Sequence, residues 1–402
     1  MRSHDVVVLG LGAMGSAAVH HLARRGASVL GIDRHAPPHT LGSTHGRTRI
    51  TREAYYEHPS FVPLVRRAGE CWAALEREWG TPLFARTGGL MIGDAEGALV
   101  AGALRAAREH AVPHELLDAA ELRRRFPAYR PPEAQVALFE PGAGVLFPEA
   151  CVTAQLTLAA RHGAVLWTDT VASGWRVEGD GVLVETSRGA VHAARLVLAA
   201  GPWLPALLEG HGGPRSTRGR PGVDPEWGPS RVGVDAPNSL PLIVERQLSH
   251  WFQPRARPET LAPERCPLAL WEHAPGRLFA AFPDFGDGVK CGGHHGGEAT
   301  DPELVDRVVH AGETAAARAQ LERLLPDAAG ALREERVCLY TNTPDASFVI
   351  DHLPHEPPVL VASVCSGHGF KFSSAVGEAL ADLATGAAPR VELGAFGIGR
   401  FS

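Results

Sequence analysis

Asp5-Val6-Val7-Val8-Leu9 runs directly into Gly10-Leu11-Gly12-Ala13-Met14-Gly15, and this stretch decides the fold class. The first five residues form a short aliphatic, β-branched run closed by glycine, the pattern of a buried strand. Apolar residues then continue at helical spacing through Ala18, Leu22 and Ala23 until Gly26. Ser28-Val29-Leu30-Gly31-Ile32 is a second expected strand, with Asp33 at its C-terminal end. Strand, glycine turn, helix, strand and acidic residue thus fall within about 30 residues, as the G-x-G-x-x-G dinucleotide fingerprint requires. Gly10, Gly12 and Gly15 let the backbone turn tightly and approach a pyrophosphate, which the helix N-terminus stabilises. Asp33 is placed to accept hydrogen bonds from a ribose diol. The fingerprint alone does not choose between a nicotinamide and a flavin dinucleotide.

Outward from this unit, Leu196 to Ala200 is another buried strand, closed by Gly201. Val359 to Val364 is a third, followed by Gly367, Gly369 and a helical pattern over Ser374–Leu383. Strands of one parallel sheet therefore come from the start, middle and end of the chain, which implies a second domain inserted between them. The expected class is α/β, a Rossmann-type nucleotide domain over 1–80, 140–210 and 330–402. A substrate domain on a large mixed sheet is expected over 81–139 and 211–329. Within it, 212–237 is punctuated by glycine and proline without apolar period, and reads as a mobile loop, either a lid or a passive surface insertion.

Composition excludes several classes. The 402 residues are 45% apolar and 21% charged, which argues against wholesale disorder. A net charge of −6 supplies no basic stripe for nucleic acid. The longest apolar candidate, Val6 to Val19, is broken by three glycines and is too short to span a bilayer. The first residues do not follow signal-peptide order. The six cysteines lack C-x-x-C or zinc-type spacing, favouring neither a disulfide framework nor a metal site. A soluble, cytoplasmic protein is the expectation. Of 39 basic residues only Lys290 and Lys371 are lysine. Arginine serves for surface solvation, but a compact ammonium with a tunable pKa has no guanidinium substitute, so both lysines are candidates for function.

The segment Gly42-Ser43-Thr44-His45-Gly46-Arg47-Thr48-Arg49-Ile50-Thr51-Arg52 resembles the monomeric sarcosine oxidase family, which includes N-methyltryptophan oxidase. The likeness recurs at Cys338-Leu339-Tyr340-Thr341, over Asp345–Asp351 and at Ser366-Gly367-His368-Gly369-Phe370-Lys371. The resemblance implies FAD, attached covalently through Cys338, although the commonest fate of a cysteine is a buried structural thiol. It implies oxidation of a secondary or N-methylated amino acid, with the electrons passing to O₂ to give H₂O₂. A monomer is expected. Alternatives are an oxidase of a cyclic imino acid or bulkier secondary amine, and a flavoprotein module without oxidase turnover.

By the same resemblance Lys371 and Arg52 bind the substrate carboxylate, through charge-assisted hydrogen bonds. Lys290 activates O₂ on the other flavin face, where a fixed positive charge favours superoxide formation. Arg49 contributes to that field or positions the flavin, and His294 is a possible proton acceptor. Tyr340 and Gly367 line the substrate site. Gly10, Gly12, Gly15, Asp33, Ser43, Thr44, Arg49, Gly201, Cys338, Gly367, His368, Gly369 and Lys371 form the expected cofactor set. Neighbouring His294 and His295, on a strand, are expected to point to opposite faces. Ala280 stands where the family has a tyrosine, which puts sarcosine itself in doubt as substrate and leaves room for a bulkier one.

Overall fold

Val6 and Val8 pack into one hydrophobic cluster with Ala18 and Leu22, while Val7 and Leu9 pack into another with Trp175 and Leu196. Alternation along one strand thus buries both faces, the condition of a parallel sheet covered on each side. In the computed structural model, which describes residues 3–210 and 240–401, that strand is β1 (Ser3–Leu9). The insertion at 212–237 lies outside the described residues. β1 leads through Gly12 into α1 (Ala13–Arg24), then into β2 (Val29–Ile32). β1 pairs in parallel with β2 and with Gly189–Leu198, Val7 lying opposite both Leu30 and Leu196. Gly189–Leu198 pairs in parallel with Glu356–Ser363. The first sheet therefore draws on the start, middle and end of the chain, and the helix Ser373–Ala384 packs on α1.

Among the described residues the second sheet has eight strands, from Leu332–Asn342 at one edge to Glu115–Asp118 at the other. Its pairings are antiparallel except Leu268–Ala274 on Gly89–Gly93. Leu90, Ile92, Trp271 and Phe279 form its core with Leu321 and Leu324 of the helix Ala311–Leu324. The return to the nucleotide unit expected at 330 comes one strand later. Leu332–Asn342 is held in the second sheet by a ladder running from Ile243↔Asn342 to Phe252↔Leu332. The next strand, Val349–Leu353, is the one that joins the first sheet. No helix among the described residues is long and apolar enough to cross a membrane.

Candidate active site

The two sheets meet at a cavity of about 620 Å³, lined by Gly10, Asp33, Lys290, Cys338, Gly367 and Lys371 among others. At the nucleotide end, Gly10 has φ +88°, and a Cβ there would collide with the backbone of Ala199. Only glycine lets the turn lie this close to the neighbouring strand end. Gly12 caps α1, which has no acid in its first turn and His21 and Arg24 in its last, so the helix presents its positive end to the cavity. Asp33 is buried and accepts from Leu11 N at 2.7 Å and His35 N at 2.8 Å, leaving lone pairs for a sugar. Thr44 Oγ1 accepts from Ala13 N at 3.3 Å, tying the 43–52 loop to the helix start. Gly201, with φ +55°, and Gly369 also line the cavity.

Further in, Ser43, Thr48 and Thr341 line this cavity, and their hydroxyl oxygens are buried without a hydrogen-bond partner. Buried polar groups are normally satisfied. These three fit a polar cofactor occupying the space, so the residues present fit a dinucleotide.

Lys290, 5% exposed, donates to the carbonyls of Gly46 at 2.7 Å and Thr48 at 2.9 Å. Its ammonium lies 4.8 Å from the Phe282 ring centroid and 5.5 Å from that of Trp251. Burial, and after it Arg49, pulls its pKa well below the usual lysine range. Arg49 donates to Ser43 O and Thr48 O, and its Nη2 is 3.7 Å from Cys338 Sγ. Glu149 holds the loop from behind, accepting from Gly46 N at 2.7 Å and Arg47 N at 3.0 Å.

Lys371, 4% exposed, donates to His368 O at 2.7 Å and to the Tyr55 hydroxyl at 3.3 Å. Burial and then Arg52 bring its pKa down to about 7, with Glu57 pulling the other way. Arg52, equally buried, makes a two-pronged pair with Glu57 at 2.8 and 2.9 Å. Burial works against the Glu57 charge, but Arg52, His368 and Lys371 outweigh it and hold the carboxyl below its usual range. The His368 ring is committed to Tyr55 Oη at 2.6 Å and Ala346 O at 2.9 Å, so its side chain buttresses the tyrosine.

Cys338 and Tyr340, two apart on one strand, share a face. Tyr340 Oη lies 3.1 Å from His294 Nδ1. Burial, and then His295, keeps the His294 imidazole well below its ordinary pKa. The two histidines do not diverge as expected. The strand ends at His294, and His295 takes φ +66°, which swings its ring back to 4.3 Å from that of His294. Gly367, at φ +74°, faces both: a Cβ would stand 2.6 Å from Tyr340 Cε2 and 2.8 Å from His294 Cε1. Ala280 lines the same wall, opposite Gly292 in the ladder.

Sequence reasoning missed Glu57, Tyr55 and Glu149. The cluster Arg52-Glu53-Ala54-Tyr55-Tyr56-Glu57, polar and aromatic without apolar period, was the available signal for the first two. Glu149 carried none, because its partners lie about a hundred residues away.

A family model described as FAD dependent oxidoreductase (DAO) matches residues 5–383. The chain belongs to that family. Within it, this oxidoreductase is 41% identical over 386 residues to the monomeric sarcosine oxidase of Streptomyces avermitilis, covering 95% of this chain and 94% of that one. It is 36% identical over 405 residues to the monomeric sarcosine oxidase of Bacillus sp. strain B-0618 (100% and 97% covered). It is 34% identical over 401 residues to the N-methyl-L-tryptophan oxidase of Salmonella typhimurium (99% of each). The flavoenzyme thus groups with the sarcosine and N-methyltryptophan oxidases, and its dinucleotide is FAD rather than a nicotinamide. Solved structures share its fold: NikD, an unusual amino acid oxidase essential for nikkomycin biosynthesis (TM-score 0.82, 24% identity, 99% and 98% covered), and L-proline dehydrogenase from P. horikoshii (0.82, 21%, 100% and 98%).

Proposed function

We propose that this flavoenzyme oxidises a secondary or N-methylated amino acid, releasing H₂O₂ and an imine that water hydrolyses to amine and aldehyde. The observation that carries the reading is the pair Arg52 and Lys371, two buried cations converging on one cavity that also holds the dinucleotide loop. Such a pair selects a carboxylate. FAD, held by the Gly10–Gly12 turn, Asp33 and Cys338, would supply the two-electron redox chemistry that links amine oxidation to O₂.

The chain's own residues do the rest. Lys371 and Arg52 hold the carboxylate, and Tyr55, braced by His368, keeps Lys371 in place. The carboxylate competes with Glu57 for the guanidinium, so binding exchanges one pairing for another. His294, neutral beside Tyr340, assists by accepting a hydrogen bond from the substrate amine, whose own pKa the neighbouring cations lower on binding. Lys290 acts where O₂ is reduced, its ammonium held by two carbonyls so that it needs no reorientation when negative charge develops. Cys338, within reach of Arg49, is the attachment point for a covalent flavin. Ala280 offers only a methyl group to the wall, which favours a substrate bulkier than sarcosine. The enzyme is read as a monomer, as the names of its sarcosine-oxidising relatives suggest.

The test is anaerobic bleaching of the yellow protein by a panel of sarcosine, larger N-methyl amino acids, proline and pipecolate, followed by peroxide output in air. Bleaching by an N-methyl amino acid with stoichiometric peroxide supports the reading. A flavin that no amine on the panel reduces overturns it.

A further inference from the structure

Away from the cavity, three helices converge on a second cluster. His20 comes from α1, Glu78 from the last turn of α2 (Phe61–Trp79), and His162 caps the C-terminal end of Pro148–Arg161. Glu78 Oε1 lies 2.7 Å from His162 Nε2, and Glu78 Oε2 lies 3.6 Å from His20 Nε2. One donor atom from each of the three lies within 4.8 Å of the other two. None of these three residues lines the active-site cavity.

The decisive feature is His20. Its side chain is 4% exposed and its Nε2 has no hydrogen-bond partner, yet it is aimed at the Glu78 carboxylate. A buried ring nitrogen left unsatisfied costs stability unless something occupies the space in front of it. We propose that His20, Glu78 and His162 form a binding site for a divalent transition-metal ion of the zinc class.

The donor chemistry fits. Two imidazoles and a carboxylate suit zinc and its neighbours rather than magnesium or calcium, which favour all-oxygen shells. Donors 2.0–2.2 Å from a tetrahedral ion stand about 3.4 Å apart. The His20 separation is already close to that, and the shorter His162–Glu78 contact is a hydrogen bond whose proton the ion replaces. His162 and Glu78 are partly exposed, so water completes the shell and ions can enter. Two neighbours matter: His21, with its ring centroid 5.5 Å from that of His20, and Arg24, whose Nε is 3.9 Å from Glu78 Oε2. Arg24 is half exposed and can swing into solvent when the ion arrives. A bound ion would staple the C-terminal end of α1, the helix whose other end faces the dinucleotide, to two neighbouring helices.

The test uses tag-free holoenzyme dialysed against zinc, with metal and flavin both counted per chain. One zinc per chain is expected, and cobalt in its place should give the intense visible bands of a tetrahedral site. Zinc should also raise the unfolding temperature in proportion to the logarithm of its excess over the dissociation constant. His162→Gln, at an exposed position, should keep full flavin content and weaken zinc binding by more than the ~10–100-fold that loss of a mere supporting group costs. Glu78→Gln should do the same, and Arg24→Gln should bind at least as tightly as the parent. Zinc stoichiometry and thermal shift unchanged in His162→Gln would overturn the proposal. So would a parent enzyme that retains no zinc after dialysis.

Discussion

Lys371 and Arg52 share one tyrosine: the ammonium lies 3.3 Å from the Tyr55 hydroxyl, and the guanidinium 4.3 Å from the centroid of that ring. Two cations held this close in a wall away from water repel, and the lysine gives way because a guanidinium keeps its proton far above neutral pH. Burial first, and after it this repulsion, brings the Lys371 pKa down to about 7 while Arg52 stays charged. A carboxylate ligand restores the lost proton, so ligand binding and the protonation of Lys371 are coupled.

Affinity for an acidic competitive inhibitor is therefore expected to fall as pH rises above about 7, by at most ~tenfold per pH unit for one proton. Titration calorimetry across that range measures it. Lys371→Met should raise Kd and flatten the profile; an unchanged slope in the variant would count against the assignment. The same shift carries a sign for stability. Between about 7 and the usual 10.5 the unfolded chain holds a proton that the folded chain lacks, so this site's contribution to stability rises with pH over that window.

Lys290 has a different signature. Lys290→Met is expected to slow reoxidation by O₂ about 10²–10³-fold, the cost of removing one preorganised charge-stabilising donor. Flavin reduction by substrate should stay within a few-fold of the parent. Stopped-flow traces of the two half-reactions separate the effects, and equal slowing of both would mean that the lysine merely supports the cavity wall.

Cys338→Ser should abolish the covalent flavin. The parent is expected to give a fluorescent band at the chain's mass on a denaturing gel, and the variant to release all its flavin into acid supernatant. Flavin still attached to the variant would move the link to another residue.

Ala280→Tyr should narrow the wall beside Gly292. Relative kcat/KM for bulky over small N-methyl amino acids is expected to drop about 10–200-fold, the range that a filled apolar pocket commands. A proportional loss for all substrates would show that the position affects folding rather than selection.

Much of this site could be read before any fold was known. Gly10, Gly12, Gly15 and Asp33 announce themselves because their spacing is dictated by one local βαβ unit. Lys290 and Lys371 stand out in a chain that otherwise uses arginine. Glu57 did not, although it pairs with Arg52 and occupies its guanidinium. Nor did the turn at His295, whose positive φ reverses the side chain that strand alternation sends away.

Local chemistry, then, settled the elements and the cofactor class: glycines that must turn, aliphatic runs that must be buried, and an acid at a strand end are short-range requirements written in consecutive residues. Which charges face one another was decided only when distant segments closed together. Lys290 meets Gly46 across 244 positions, and Lys371 meets Tyr55 across 316. Burial lowers both lysines, and no pattern of neighbours along the chain encodes how much water a side chain will lose.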